Sequence, residues 1–150
     1  MFKRVSVPVD GSETSKKALR AALALAIEHS SALHIVHVLD ETQIYASIGR
    51  LPYPPAELME ITRNHSQNIL VEAVGIAGDA KIEMDSKLLV IDQFDKRVSD
   101  AIEQEAESWH ADLIVIGTHG RRGFRRLLLG SVAENLIRTS TKPVLLIRGS

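Results

Sequence analysis

Short apolar runs alternate with amphipathic stretches along the whole chain. Five of these runs are rich in valine, isoleucine and leucine and are too short for helices, so they predict buried β-strands. They are Val5–Val9, Leu33–Leu39, Leu88–Ile91, Leu113–Ile116 and Val144–Ile147. In the stretches between them, apolar residues recur three and four positions apart, which predicts helices with one buried face. These helices are expected to begin near Glu13, Ala56, Val98 and Val132.

The order of these elements predicts the architecture. Strands that are apolar throughout are covered on both faces, as in a parallel sheet with helices above and below it. Because the crossovers between parallel strands are right-handed, the expected topology is a doubly wound α/β domain. The sequence contains neither an internal repeat nor a linker, so residues 1–150 are expected to form a single domain.

Composition narrows the class of protein further. The chain has no cysteine, which excludes disulfides and thiolate chemistry and fits a reducing cytoplasm. Its 18 basic and 19 acidic residues nearly cancel, so we expect no nucleic-acid partner. The longest apolar run, Ala21–Ile27, is far shorter than the ~20 residues that cross a bilayer, so we expect no membrane segment. His34 and His37 should point to opposite faces of a strand, and we expect no metal bound by side chains.

Residues 117–131 carry the clearest candidate chemistry. They join a buried strand to a helix, with glycines at 117, 120, 123 and 130 and arginines at 121, 122, 125 and 126. Glycine lets a ligand approach the backbone closely, and the first amides of a helix favour an anion. Guanidinium groups suit phosphate oxygens. The segment therefore predicts a site for a polyphosphate.

Two alternatives for this segment stay open. Ser131 and Glu134 match the capping box S-x-x-E, so Ser131 would then only cap its helix and Gly130 would only shape the turn. The arginines would then form a solvated surface run. The segment is neither a Walker A loop nor the dinucleotide fingerprint G-x-G-x-x-G.

The spacing of the glycines resembles a known signature. Gly117, Gly120, Gly130 and Ser131 match G-2x-G-9x-G-S/T, which is the ATP-binding signature of the universal stress proteins. The opening residues 7–12, the segment 112–121 and the closing residues 142–147 also look like that family, so the resemblance covers the whole chain. It implies a fold like that of the adenine nucleotide alpha hydrolases, with sheet order 3-2-1-4-5.

The resemblance also implies a ligand, ATP, with Mg²⁺ held largely by the phosphates and water. The site would lie where strands 1 and 4 are neighbours, at the switch point of the sheet. Adenine would be lined by Pro8, Val9 and Val38, and Asp10 would lie near the base and ribose. Ribose and phosphates would contact Gly117, His119, Gly120, Arg121 and Gly123, and the outer phosphates would contact Gly130, Ser131 and Val132. As alternatives, Asp10 only caps a turn, Val9 and Val38 are core residues, and His119 is an exposed loop residue.

The last strand is apolar throughout, and an unguarded edge of this kind pairs readily with another chain. The resemblance implies a homodimer through Val144, Leu145, Leu146 and Ile147; alternatively, residues 118–130 cover this edge within one chain.

Because residues 117–131 contain no side chain that is an evident base for activating water, we expect a binding module in stress response rather than an enzyme. The alternatives are a slow ATPase or autophosphorylating protein, and a nucleotide-free dimeric scaffold.

Overall fold

Strands and helices alternate along the chain in the computed structural model, which describes residues 1–119 and 129–149. The strands are β1 (Arg4–Pro8), β2 (Ala32–Asp40), β3 (Met84–Ile91), β4 (Leu113–Gly117) and β5 (Val144–Ile147). The helices are α1 (Glu13–His29), α2 (Thr42–Ser47), α3 (Ala56–Ala77), α4 (Val98–Ser108) and α5 (Ser131–Thr139). All neighbouring strands pair in parallel, in the order β3-β2-β1-β4-β5. The predicted doubly wound α/β fold and its sheet order are confirmed.

Alternating side chains of the central strands build a hydrophobic core on each face of the sheet. Val5 and Val7 of β1 and Val115 of β4 are fully buried in the core that includes α1 and α3. Ile114 and Ile116 of β4 belong to the core that includes α4 and α5. Successive residues of a strand point to opposite faces, so the same short strand supplies both cores. With helices on both faces, the ends of the strands are where a ligand can reach the sheet.

Strand β3 begins at Met84, earlier than the predicted start at Leu88. Its first residues include Asp85, Ser86 and Lys87, which are exposed at one edge of the sheet. The ladder with β2, which pairs Met84 with Leu33, holds this part of the strand. Main-chain pairing holds this edge segment, and its side chains are polar, so the hydrophobic pattern does not reveal it. The predicted strand was therefore too short.

The sequence predicts a loop over residues 40–55, which carry three prolines, but the structure has the short helix α2 there. The carboxylate of Asp40 accepts a hydrogen bond from the Thr42 amide at 3.0 Å, and Ile44 is buried. Glu41, also buried, makes a 3.0 Å ion pair with Arg63 of α3. A helix of six residues is too short to show a periodic pattern, because a single turn takes 3.6 residues.

Glu105 interrupts the apolar stripe of α4, and the structure supplies its partners. Its Oε1 lies 2.9 Å from Nε2 of the buried His34, and its Oε2 accepts a hydrogen bond from Lys87 Nζ at 2.9 Å. The other ring nitrogen of His34 contacts Asp85, and its ring stacks on Trp109 with centroids 4.7 Å apart. The Glu105 carboxylate thus has hydrogen-bond partners in the protein interior, where an unpaired charge would be costly.

Among residues 1–119 and 129–149, no cluster of three or more histidine, aspartate or glutamate side chains could hold a metal ion. No helix in the same part of the chain is both long and apolar enough to cross a bilayer.

Candidate functional site

The ladder between β1 and β4 stops before the carboxyl ends of the two strands, and we call the switch point beyond it the crevice between β1 and β4. Their ladder pairs Val5 with Leu113 and Ser6 with Ile114, and within the described residues it goes no further. The Val9 amide donates to Val36 of β2 at 2.8 Å, so the preceding residue, Pro8, turns its nitrogen towards β4. Proline has no N–H, so no ladder hydrogen bond can form there. The sequence itself therefore helps to open the sheet at its switch point.

Asp10 shapes the turn that follows β1. Its Oδ1 accepts a hydrogen bond from the Ser12 amide at 2.9 Å, and its own amide donates to Ser15 Oγ at 3.3 Å. Ser12 is the N-cap of α1, and its side-chain oxygen accepts a hydrogen bond from the Ser15 amide at 3.1 Å. The structure thus gives Asp10 the turn-forming role that the sequence had left open. It also places Asp10 two residues after the end of β1, at the carboxyl end of that strand.

The three residues predicted to line adenine lie at the carboxyl ends of β1 and β2. Pro8 is buried, and Val9 is buried within the core beneath α1 and α3. Val38 is partly buried and packs against the opposite core, beneath α4 and α5. The Val9 carbonyl accepts a 2.7 Å hydrogen bond from Nδ1 of His37. The side chains of Val9 and Val38 thus belong to different cores on the two faces of the sheet.

Gly117 ends β4 directly beneath the first turn of α1. A Cβ built at this position would lie 2.7 Å from Thr14 Cγ2 and 3.2 Å from the Thr14 main chain. Distances below 3.0 Å essentially never occur for real Cβ atoms. Gly117 is therefore required by close packing of α1 against β4, whether or not a ligand binds.

The helix α5 begins one residue earlier than predicted, and this changes the role of Ser131. Gly130 is the N-cap, and within the described residues no side chain caps the first-turn amides. Ser131 is the first helical residue and is exposed, and Val132 follows it. The Glu134 carboxylate pairs with Arg138 at 2.8 Å. The capping-box interpretation of Ser131 and Glu134 is therefore wrong, and the amide end of α5 carries no side-chain acceptor.

Main-chain hydrogen bonds bring α5 to the end of β4. The Gly130 amide donates to the Thr118 carbonyl at 2.7 Å, and the Thr118 amide donates to the Ile147 carbonyl at 2.9 Å. Thr118 is therefore held between β5 and the N-cap of α5. Since Asp10 follows β1 and β1 is the neighbour of β4, the structure brings Asp10, Gly117 and Gly130 to the same end of the sheet.

Two buried polar atoms lie next to this junction. Among the described residues, Thr118 Oγ1 and His119 Nδ1 have no hydrogen-bond partner. Buried polar groups in proteins nearly always have a partner, from the protein, water or a ligand. Sequence reasoning included His119 but overlooked Thr118, although its hydroxyl directly follows Gly117. Three further predicted residues, Gly120, Arg121 and Gly123, lie outside the described residues.

Two cavities lie on other parts of the molecule. A cavity of about 10 Å³ beside Gly11, between α1 and α3, is far smaller than the ~300–1,000 Å³ of typical ligand pockets. Lys16 and Glu72, which line it, form a 2.7 Å ion pair, and this hydrogen bond raises the pKa of the Lys16 amine above its ordinary value. A larger cavity of about 320 Å³, which is within the size range of ligand pockets, lies near Ser30 and Lys81 at the amino ends of the strands, the end opposite to Asp10 and Gly117. The fold and the crevice together define a doubly wound α/β domain with a candidate anion site at its switch point.

Comparison with known proteins gives the family. The universal stress protein family model matches residues 1–148. The universal stress protein YxiE of Bacillus subtilis is 32% identical over 151 residues, covering 99% of this chain and 100% of that protein. The universal stress protein MJ0577 of Methanocaldococcus jannaschii is 32% identical over 161 residues, covering 99% and 96%. A solved structure of MJ0577 matches with a TM-score of 0.82 and 28% identity, covering 100% of this chain and 98% of that one. The chain belongs to the universal stress protein family.

Two similar solved structures hold adenine nucleotides. The universal stress protein from Archaeoglobus fulgidus in complex with dAMP has a TM-score of 0.67 and 28% identity, covering 98% of both chains. A universal stress protein in complex with cAMP has a TM-score of 0.67 and 26% identity, covering 97% of this chain and 96% of that one. Nucleotide binding therefore occurs among members of this family.

Proposed function

We propose that this chain is a regulatory module of the stress response that binds ATP in the crevice between β1 and β4. The observation that carries the proposal is the amide end of α5, which no side chain among residues 1–119 and 129–149 caps, and beside it two buried polar atoms, on Thr118 and His119, that have no partner among the same residues. Helix amides and their dipole favour an anion such as phosphate. The relatives that bind dAMP and cAMP support an adenine nucleotide as the ligand.

Each end of the crevice would contact a different part of the nucleotide. Adenine would lie against Pro8, Val9 and Val38, and Asp10 would accept hydrogen bonds from the ribose hydroxyls. The phosphates would be held by Gly117, His119, Gly130, Ser131 and Val132, together with Gly120, Arg121 and Gly123. A magnesium ion bound to the phosphates and water would neutralise part of their charge.

Binding rather than turnover is the proposed activity. Among the described carboxylates near the crevice, Glu134 is paired with Arg138, and Asp10 holds the turn after β1. Both therefore have structural partners, which makes them poor candidates for a base that activates water. Nucleotide occupancy would instead change the surface that the crevice presents to a protein partner in the cytoplasm.

We also propose that the protein forms a homodimer through β5. The carbonyls of Pro143 and Ile147 face β4, where they accept hydrogen bonds from the amides of Ile114 and Thr118. Because main-chain groups of successive residues in a strand point to opposite sides, those of Val144 and Leu146 face away from the sheet. Leu145 is 38% exposed on this edge. The opposite edge, β3, instead exposes charged residues of the kind that discourage pairing. This contrast favours β5 as the dimer edge.

Calorimetric titration with MgATP tests the nucleotide proposal. The wild-type chain should bind ATP, and Gly130→Val should weaken binding at least tenfold because its side chain would crowd the phosphates. Gly130 has φ −63° and ψ 154°, a conformation that valine adopts, so the fold should survive. Gly75→Ala is the matched control, since a Cβ there meets no atom within 4 Å. Absence of ATP binding by the wild-type protein at millimolar concentration would refute the proposal.

A further inference from the structure

The residue Gly149, which follows β5, lies in close contact with a predicted ligand residue. A Cβ at Gly149 would lie 2.9 Å from Thr14 Oγ1, 3.2 Å from His119 Cδ2 and 3.7 Å from His119 Nε2. The first two distances are tighter than ordinary van der Waals contact. The bare backbone at this position therefore lets the C-terminal segment lie against the imidazole ring and the first turn of α1.

Hydrogen bonds hold this contact in register. Ile147, two positions before Gly149, pairs with Gly117, and its carbonyl accepts from the Thr118 amide at 2.9 Å. Thr118 in turn accepts from the Gly130 amide at 2.7 Å. The residue that directly precedes His119 is thus bonded both to the end of β5 and to the N-cap of α5. A shift of the last strand would therefore be transmitted to His119.

The ring of His119 needs such support. Its Nδ1 is buried and has no hydrogen-bond partner among the described residues, so Nδ1 gives the ring no fixed orientation there. The Cδ2–Nε2 edge is the part of the ring that faces Gly149. Packing of the ring against Gly149 is thus a contact that can hold the unpartnered nitrogen in place for a ligand.

We propose that Gly149 is a positioning residue of the nucleotide site, holding the His119 ring by close backbone contact. This inference rests on the proposed binding of ATP, but it adds that the C-terminal segment sets the affinity through His119. A methyl group at residue 149 displaces the ring by several tenths of an ångström. The contact between His119 and the nucleotide is then lost, although no residue that binds the nucleotide has been replaced.

Calorimetry with MgATP on four variants tests the proposal. Gly149→Ala should weaken binding about fivefold, the effect of losing one hydrogen bond. Gly75→Ala, the same change in open space, should leave the affinity unchanged. In a His119→Ala background the ring is gone, so adding Gly149→Ala should weaken binding no further. An equal loss in both backgrounds, or a wild-type affinity for Gly149→Ala, would overturn the inference while leaving the proposed function intact.

A second readout does not require nucleotide. Carbon-13 spectra of the histidine rings, with the His119 signal assigned from His119→Ala, should show that signal moving in Gly149→Ala and staying in place in Gly75→Ala. If the wild-type protein binds no ATP, the proposed function fails, and the ring signal alone then decides whether Gly149 positions His119. A His119 signal that is unmoved in Gly149→Ala refutes the positioning role in either case.

Discussion

Replacing Gly117 by alanine tests how tightly the first turn of α1 packs against β4. The added Cβ would lie 2.7 Å from Thr14 Cγ2 and 3.2 Å from the Thr14 main chain, so the helix must shift or the threonine must change rotamer. Overpacking of this kind costs about 1–3 kcal/mol. Alanine also restricts the unfolded chain, which offsets roughly 0.4–1 kcal/mol. We therefore expect Gly117→Ala to lower the free energy of unfolding by about 1–2 kcal/mol.

Urea denaturation at a fixed protein concentration measures this change. Thr14→Ser removes the methyl group at 2.7 Å but not the main-chain contacts at 3.2 Å. Gly117→Ala should therefore cost roughly half as much in the Thr14→Ser background as it does in the wild type, since neighbouring substitutions are not additive. Gly75→Ala, in the interior of α3 where a Cβ meets no atom within 4 Å, should instead raise the free energy of unfolding, by about 0.5–1 kcal/mol. A loss below about 0.5 kcal/mol for Gly117→Ala, or an equal loss in both backgrounds, would refute the packing argument.

Two further predictions concern the sheet edge and the buried ion network. Leu145→Lys places a charge in the middle of the exposed β5 edge and should convert a dimer into a monomer in sedimentation equilibrium, whereas Val90→Lys, on the opposite edge strand, should not. Equal masses for the two variants would argue against dimerisation through β5. His34→Leu leaves Glu105 with Lys87 alone and should cost about 2–4 kcal/mol in urea denaturation. In the double variant that also carries Glu105→Leu, more than half of the lost free energy of unfolding should be recovered. If the effects of the two substitutions simply add, the pairing of His34 with Glu105 is contradicted.

The central strands could be predicted from the sequence because they are buried on both faces. Each of the runs that became β1, β2 and β4 is apolar along most of its length, so these strands can be recognised without knowing which strands lie beside them. The polar start of β3 and the helix α2 could not be found in this way. The first depends on pairing with β2, and the second depends on the buried Ile44 and on the ion pair between Glu41 and Arg63. The sheet order itself came from the resemblance to a family.

The candidate site was predicted in outline but not in its contacts. The positions of Asp10 and Gly117 after two neighbouring strands were enough to indicate the crevice. The capping-box alternative for Ser131 was wrong because S-x-x-E is a local pattern, whereas the N-cap is Gly130, whose amide donates a hydrogen bond to Thr118. The contacts of Thr14 with Gly117, and of Gly149 with His119, join residues far apart in the chain. No spacing within the sequence encodes such contacts.

Direct detection of bound nucleotide tests the central claim, that the parting of β1 and β4 beside the bare amides of α5 creates a site for ATP. The purified chain would be equilibrated with MgATP, freed of excess ligand by dialysis against a known concentration, and then denatured. Mass spectrometry of the released small molecules should find ATP, at one molecule per chain when the site is saturated. Release of no adenine nucleotide after equilibration at millimolar ATP would contradict the account.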